Sequence, residues 1–155
     1  MSHGGAVVRR RSSSPELRAN LDELWRFEKW SGQVSVRRIV PDIRSKQLDT
    51  SRQFYVDVLG LEVAMDMGFI VTLRSSTNPT AQVSLVRDDE SSAILPQMSV
   101  EVADVDDVHA RAVSRGFKVV YPLTNEPWGV RRFFVTDPNG TIINVMCHIA
   151  GGHSD

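Results

Sequence analysis

The chain repeats one pattern of structural elements, and this repeat constrains the fold more than any other feature of the sequence. Residues 60–63 (GLEV) and 116–119 (GFKV) occupy equivalent places and lie 56 residues apart. In each half, the spacing of apolar residues predicts a strand, a helix and three further short strands. One such unit is too small to bury its apolar face alone. We therefore expect an α+β domain over residues 36–149, in which the β-α-β-β-β units 36–88 and 97–148 form one curved mixed sheet with a cleft inside.

The segments outside this domain follow a different pattern. Residues 1–13 and 150–155 are small and polar, and we expect both to be flexible tails. A serine cap at Ser14, followed by proline and glutamate, predicts the start of a helix. Apolar residues then recur on one helical face, so residues 14–35 are predicted to be a helical extension that docks on the domain or on a partner subunit.

Composition excludes several classes of function. Hydrophobic residues make up 41% and charged residues 24%, which is typical of a soluble globular protein. A net charge of -1 argues against binding nucleic acid through phosphate neutralisation. The longest apolar runs are about five residues, whereas a membrane span needs roughly 20. The single cysteine, Cys147, excludes an intrachain disulfide and makes the cytoplasm the expected location.

Three motifs, in order along the chain, match the signatures of one known family. Residues 48–61 (LDTSRQFYVDVLGL) match a first-helix signature, residues 100–106 (VEVADVD) the entry to a second helix, and residues 127–140 (PWGVRRFFVTDPNG) a last hairpin. They resemble the glyoxalase / bleomycin-resistance / extradiol-dioxygenase superfamily, also called the vicinal oxygen chelate proteins. The hairpin resembles the bleomycin-resistance-like branch in particular. The resemblance spans residues 36–148 and implies the vicinal oxygen chelate fold.

The resemblance also implies where a metal would bind. Enzymatic members hold a divalent metal with His, Gln or Glu on the first and last strand of each unit, and the metal polarises the substrate. Counted from the motifs, the four ligand positions hold Val40, Ser84, Gln97 and Asn144. None is His, Asp or Glu, and shifting each strand by one residue supplies none. We therefore expect no metal cofactor; a divalent metal held by unusual ligands is the alternative.

Strand alternation independently assigns these four positions to the cleft. Residues that share their parity are mixed in polarity, as a wet binding cleft requires. The opposite parity, which includes Ile39, Ile43 and Cys147, is apolar or cysteine, as a face packed against helices requires. The predicted cleft face comprises Val40, Asp42, Arg44, Gln82, Ser84, Val86, Gln97, Ser99, Glu101, Ile142, Asn144, Met146 and His148.

Eight residues are candidate ligand contacts. Asp42 and Glu101 could bind a cationic ligand and Arg44 an anionic one, or the three could pair with one another. Trp128, in a loop at the predicted lip of the cleft, and Phe133, on the adjoining strand, could stack on a flat ligand. Phe133 could instead belong to the core of the hairpin. The full set is Asp42, Arg44, Gln97, Ser99, Glu101, Trp128, Phe133 and Asn144.

The sequence thus predicts a metal-free protein that binds a small organic molecule in a cleft. Bleomycin-resistance proteins are homodimers that sequester a drug, so the resemblance implies a homodimer and antibiotic sequestration. Neither nucleic acid nor a membrane is an expected partner. The first alternative is an enzyme, either a metal-dependent lyase, isomerase or dioxygenase, or a metal-free one with Asp42 or Glu101 as general base. The second is a dimeric regulatory module.

Overall fold

The computed structural model describes residues 33–89 and 94–150. The residues from Val34 onward form a compact unit of their own. The tail predicted over residues 1–13 and the helix predicted to begin at Ser14 lie outside the described residues. No helix in the part of the chain that the structure describes is long and apolar enough to cross a membrane.

The described residues form eight strands and two helices. The first unit comprises β1 (Val36–Ser45), α1 (Leu48–Asp57), β2 (Glu62–Asp66), β3 (Ile70–Arg74) and β4 (Gln82–Arg87). The second comprises β5 (Met98–Val102), α2 (Val105–Ser114), β6 (Val119–Glu126), β7 (Val130–Thr136) and β8 (Ile142–His148). The predicted tandem β-α-β-β-β order is therefore confirmed.

All eight strands belong to one mixed sheet with the order β2-β3-β4-β1-β5-β8-β7-β6. Within each unit the first and last strands are parallel, β1 with β4 and β5 with β8. The units join through the antiparallel pair β1 and β5, in which Val40 lies opposite Ser99. The two repeats therefore pair within one chain, and their first strands meet at the centre of the sheet.

The repeated tetrapeptide begins with a glycine that has the same backbone conformation in both units. Gly60 and Gly116 follow α1 and α2, with φ angles of 67° and 76°. A β-carbon is strained in this left-handed conformation, so glycine is the residue that ends a helix this way. The repeat in the sequence therefore corresponds to two equivalent helix ends, each leading into a strand.

Two hydrophobic cores lie between the sheet and the helices. The first consists of Leu48, Val71, Leu73 and Leu85, and the second of Val102, Val105, Phe133 and Val145. Burying each of these side chains contributes about 1.5–3 kcal/mol. Because these strand positions point toward the helices, their alternating neighbours point into the cleft.

The outer face of β1 differs from the expectation. Ile39 and Ile43 have the parity of the helix-packed face, yet they are 53% and 40% exposed. Helix α1 packs over β4, and α2 packs over β6, β7 and β8. Because β1 lies between these two regions, neither helix covers it, and the apolar side chains at the centre of the sheet remain uncovered by the described residues.

Candidate functional site

The sheet face opposite the helices encloses a cleft made of two adjoining cavities of about 350 and 490 Å³. Both repeats contribute to it. The residues that line both cavities are Asp42, Phe69, Ile70, Ser99, Arg132 and Asn144. Cavities of this size are typical of sites for small organic ligands.

A chain of three polar side chains forms the floor of this cleft. Asp42 is 6% exposed and Asn144 is 8% exposed. The Ser99 hydroxyl donates to Asp42 Oδ2 at 2.7 Å, and Asn144 Nδ2 donates to Ser99 Oγ at 2.9 Å. A hydroxyl carries one proton, so an ionised Asp42 fixes the direction of both hydrogen bonds. Asn144 Oδ1 is then buried without a partner among the described residues.

Asp42 is the carboxyl group at the floor, and its pKa is shifted. Burial raises the pKa of Asp42 from 3.8 to about 6, although the Ser99 hydrogen bond and the positive charge of Arg132 act in the opposite direction. No Arg, Lys or His nitrogen of the described residues lies within the 4.0 Å that defines an ion pair with it. Asp42 is thus a desolvated carboxyl to which the described residues give no direct counter-charge.

Glu101, on the neighbouring strand, has direct counter-charges, which Asp42 does not have within the described part of the chain. It forms an ion pair with Arg38 Nε, and its Oε1 lies 3.1 Å from His148 Nδ1. Arg38 also donates to Gln82 Oε1 at 2.9 Å. Burial by itself raises the pKa of Glu101, but the hydrogen bond with His148 and the charge of Arg38 outweigh it, so the pKa is lowered. Glu101 is therefore held as a carboxylate.

Arg132 enters the cleft inside a cage of aromatic rings. Its guanidinium carbon lies 5.3, 5.2 and 4.9 Å from the ring centroids of Tyr121, Trp128 and Phe134. Its Nε donates to Glu126 Oε1 at 2.8 Å, and the Tyr121 hydroxyl donates to the same oxygen at 2.7 Å. Cation–π contacts and an ion pair together fix this arginine and balance its charge.

Apolar side chains form the walls of the cleft. Met65, Met67 and Phe69, in and after β2, are 40%, 37% and 51% exposed and line the first cavity. Trp128 and Met146 face the same cavity from the second repeat. Methionine side chains adapt to differently shaped ligands because they are unbranched and polarisable. The cleft therefore combines a polar floor with an apolar wall.

Five of the eight predicted contacts line the cleft. They are Asp42, Ser99, Glu101, Trp128 and Asn144. Trp128 is 41% exposed at the lip, as the sequence predicted. Three of the four predicted metal-ligand positions, Val40, Ser84 and Asn144, also line it. Strand alternation therefore assigned the cleft face correctly at the centre of the sheet.

The other three candidates lie elsewhere. Phe133 is fully buried in the core beneath α2, because it alternates with two residues that face the cleft. Arg44 is exposed at the end of β1, and its guanidinium donates to the Leu95 carbonyl at 3.1 Å. Gln97 is exposed, and its Oε1 accepts from the Ile142 amide at 2.7 Å. Neither Arg44 nor Gln97 lines either cavity.

Sequence reasoning missed Arg132 and Phe134. In the β7–β8 hairpin, Arg132 lies opposite Met146 and Phe134 opposite Asn144. Residues directly opposite one another share a face of the sheet. The parity assigned to β8, extended across the turn, would therefore have placed these two residues in the cleft and Phe133 in the core.

The residues at the four family ligand positions do not fit a divalent metal. The side chain of Val40 has no donor atom, and the Ser84 hydroxyl is hydrogen-bonded to Thr72 at 2.9 Å. Gln97 Oε1 accepts from the Ile142 amide, and Asn144 leaves one neutral oxygen, Oδ1, without a partner among the described residues. Within residues 33–89 and 94–150, no three His, Cys, Asp or Glu side chains are grouped as metal ligands. A catalytic divalent site needs more anionic or imidazole donors than this.

Comparisons with known proteins agree with this architecture. Residues 35–145 match the sequence model of the Glyoxalase/Bleomycin resistance protein/Dioxygenase superfamily. No curated protein sequence matches the chain.

Solved structures give the same answer at the level of the fold. A methylmalonyl-CoA epimerase from Streptomyces coelicolor, in complex with 2-nitronate-propionyl-CoA, has a TM-score of 0.60 at 22% identity, over 75% of this chain and 100% of that one. A glyoxalase/bleomycin resistance protein/dioxygenase superfamily member from Vibrio splendidus 12B01 has a TM-score of 0.56 at 20% identity, over 74% of this chain and 100% of that one. The Mn(II)-bound glyoxalase from Novosphingobium aromaticivorans has a TM-score of 0.54 at 23% identity, over 78% of this chain and 41% of that one.

At these identities the likeness is one of fold alone, and the family follows from the sequence match together with the tandem β-α-β-β-β sheet. Both confirm the resemblance found in the three motifs and the predicted vicinal oxygen chelate fold. The chain belongs to the glyoxalase/bleomycin resistance protein/dioxygenase superfamily.

Proposed function

We propose that this protein binds a small organic molecule in the cleft without the help of a metal. The observation that carries the proposal is the lining itself, in which an apolar wall surrounds a buried polar floor. The family ligand positions within it hold Val40, Ser84 and Asn144. A site of this composition recognises a ligand by shape and hydrogen bonding.

Equilibrium binding tests this proposal. Ligands from a small-molecule library are titrated into the full chain by calorimetry and Trp fluorescence, in the presence and absence of EDTA. We expect one ligand per subunit with an affinity that EDTA leaves unchanged. Trp128→Ala should weaken binding, whereas Phe54→Leu, on the outer side of α1, should not. Equal loss in both variants would contradict a site in the cleft.

Metal titration tests the second half of the proposal. Mn²⁺, Fe²⁺, Ni²⁺ and Zn²⁺ are added to the protein and to Asn144→Leu, and bound metal is measured after dialysis. We expect no difference between the two proteins, because a single neutral amide oxygen, Asn144 Oδ1, is too weak a donor to hold a divalent metal by itself. Stoichiometric metal that is lost only in Asn144→Leu would overturn the metal-free proposal.

Sequestration of an antibiotic is the more specific form of the proposal. A sequestering protein acts by mass action, so resistance should scale with its abundance and the drug should be recovered unmodified. A chemically altered drug would instead indicate an enzyme. The cytoplasmic location expected from the single cysteine stays a prediction.

A homodimer is part of the same proposal, and exposed apolar side chains support it. Ile39, Ile43 and Phe54 are 53%, 40% and 52% exposed on the outer side of the first repeat. Contiguous apolar surface of this kind is typical of interfaces. Light scattering is expected to give the dimer mass for the wild type and the monomer mass for Ile43→Glu; a monomeric wild type would refute this part.

A metal-independent proton-transfer enzyme is the second candidate, and the raised pKa of Asp42 favours it. A carboxyl with a pKa of about 6 changes protonation close to neutral pH, as a general base does. Bound ligands incubated in D₂O and analysed by mass spectrometry separate the two functions. Exchange of a carbon-bound hydrogen that Asp42→Asn abolishes would indicate the enzyme, and unaltered ligand would indicate the binder.

A further inference from the structure

We propose that the cleft selects organic cations, namely a protonated amine or amidine on an apolar body, with the charged nitrogen bound by Asp42. This inference rests on the proposed binding function and adds the chemical class of the ligand.

The charged groups inside the cleft are paired except at Asp42, as far as the described residues show. Glu101 is paired with Arg38, and Arg132 is paired with Glu126 at 2.8 Å. Asp42 is 6% exposed and has no ion-pair partner among the described residues. A buried carboxylate without a counter-charge is costly, and a ligand cation would relieve that cost.

The Asp42 carboxylate can accept more hydrogen bonds than the described side chains donate to it. The Ser99 hydroxyl occupies Asp42 Oδ2, and no other side chain of the described residues donates to the carboxylate. A carboxylate accepts several hydrogen bonds, so Oδ1 remains for a donor that the ligand brings. A protonated nitrogen satisfies both requirements at once, because it supplies N–H donors and a positive charge.

The other charged groups that line the cavities lie nearer to solvent. Arg74, at the end of β3, is exposed, and His148 is 57% exposed beside Glu101. Arg87 donates to the Gly68 carbonyl at 2.9 Å, and Asp89 lies on the exposed side of the second cavity. Water and salt screen charges in such positions. Among the charged groups at the floor, Asp42 is therefore the one that is buried and has no ion-pair partner among the described residues.

The apolar wall defines the rest of the ligand. Met65, Met67 and Phe69 face the floor across the first cavity and offer sulfur and aromatic surfaces to an apolar body. A small inorganic cation would leave this wall unused. The combination fits an amine attached to a ring or a branched chain.

A matched set of probes tests this selectivity. Naphthylmethylamine, naphthylmethanol and naphthoate share one apolar body and differ in charge, and 4-butylbenzylamine, its alcohol and its acid form a second set. Each is titrated into the full chain at pH 7.5. We expect the amines to bind about tenfold tighter than the alcohols, and the acids to bind weakest.

Variants and pH then locate the effect. In Asp42→Asn the amine and alcohol affinities should become equal, whereas Asp57→Asn, at the exposed end of α1, should keep the preference. The amine affinity should fall about fivefold from pH 8 to pH 5, because the pKa of Asp42 is raised to about 6 and the neutral carboxyl keeps only the affinity of the alcohol. His148→Gln should retain this dependence, which separates the charge of Asp42 from that of His148.

The outcomes distinguish this inference from the function on which it rests. If the alcohols or acids bind as tightly as the amines, cation selection is wrong and binding in the cleft stands. If Asp42→Asn keeps the amine preference, Asp42 is not the site of the cation. If no amine of either set binds at millimolar concentration while a neutral or anionic library ligand binds in the cleft, cation selection is rejected and the proposed function stands; if no library ligand binds either, the proposed function is rejected as well.

Discussion

Replacing Asp42 with asparagine is expected to stabilise the protein while removing its preference for cations. Burial raises the pKa of Asp42 from 3.8 to about 6. This difference means that the ionised carboxylate disfavours the folded state by roughly 3 kcal/mol. Asparagine has nearly the same shape without the charge, and its side-chain oxygen can still accept the Ser99 hydroxyl. The stabilisation should be about 1–3 kcal/mol, because the new amide N–H groups offset part of the gain.

How the free energy of unfolding depends on pH follows from the direction in which the pKa of Asp42 is shifted. Because the folded-state pKa lies above the unfolded value of 3.8, the folded protein binds a proton between about pH 6 and pH 4 that the unfolded chain does not. The contribution of Asp42 to the free energy of unfolding therefore falls as pH rises through this window. The advantage of Asp42→Asn should be full at pH 8 and absent near pH 4.

Urea unfolding, followed by circular dichroism, measures this difference between pH 4 and pH 8. The comparison uses wild type minus variant at each pH, because other carboxyls such as Glu101 titrate in both proteins and cancel. Asp57→Asn, an exposed carboxyl on α1, serves as the matched control and should show no trend. A variant that is less stable than wild type at pH 8, or an advantage that persists at pH 4, would refute the reasoning.

Three further substitutions test other parts of the structure. Phe133→Ala should lose about 3–5 kcal/mol in urea unfolding, because its ring is fully buried; a loss below 1 kcal/mol would contradict its place in the core. Glu126→Gln should weaken amine binding, because Arg132 loses its counter-charge and its field opposes a cation; unchanged affinity would argue against the charge balance. Glu101→Gln should destabilise the protein at neutral pH, and the deficit should shrink as pH falls, because the lowered pKa of Glu101 stabilises the fold only while the group is ionised; a deficit independent of pH would contradict this.

Much of the fold could be predicted because local signals and periodicity agree. The sequence predicts a strand over residues 130–136, and β7 has the same bounds, since a turn rich in Asp, Pro, Asn and Gly follows it. For β6 the prediction is too short, because the sequence indicates a strand over residues 118–121 only and β6 continues to Glu126. It lies at the edge of the sheet, and its register shifts twice against β7, so its side chains do not alternate regularly.

Strand alternation likewise placed some of the candidate site residues in the cleft and misplaced others. Parity identifies Ser99, which pairs with Val40 on one side and Asn144 on the other. It also identifies Asp42, which pairs with Ser84. It fails for Arg44 and Gln97, which lie at or next to strand ends. There, long side chains find backbone partners outside the cleft, the Leu95 carbonyl and the Ile142 amide. Alternation therefore does not predict where a long side chain lies when a backbone partner near a strand end is within its reach.

Strand register explains why two acids on one face have opposite electrostatics. In the β1–β5 ladder, Glu101 lies directly opposite Arg38, so a counter-charge is supplied by pairing alone. Asp42 lies opposite Ser84 in β4, and on the other side its backbone N–H donates to the Gln97 carbonyl, so both neighbours are uncharged. Strand alternation places Glu101 and Asp42 on the same face and does not distinguish them. Their different partners in the strand register do. That the described residues give Asp42 no direct counter-charge, on which the proposed selectivity depends, is thus a consequence of how the two repeats are joined.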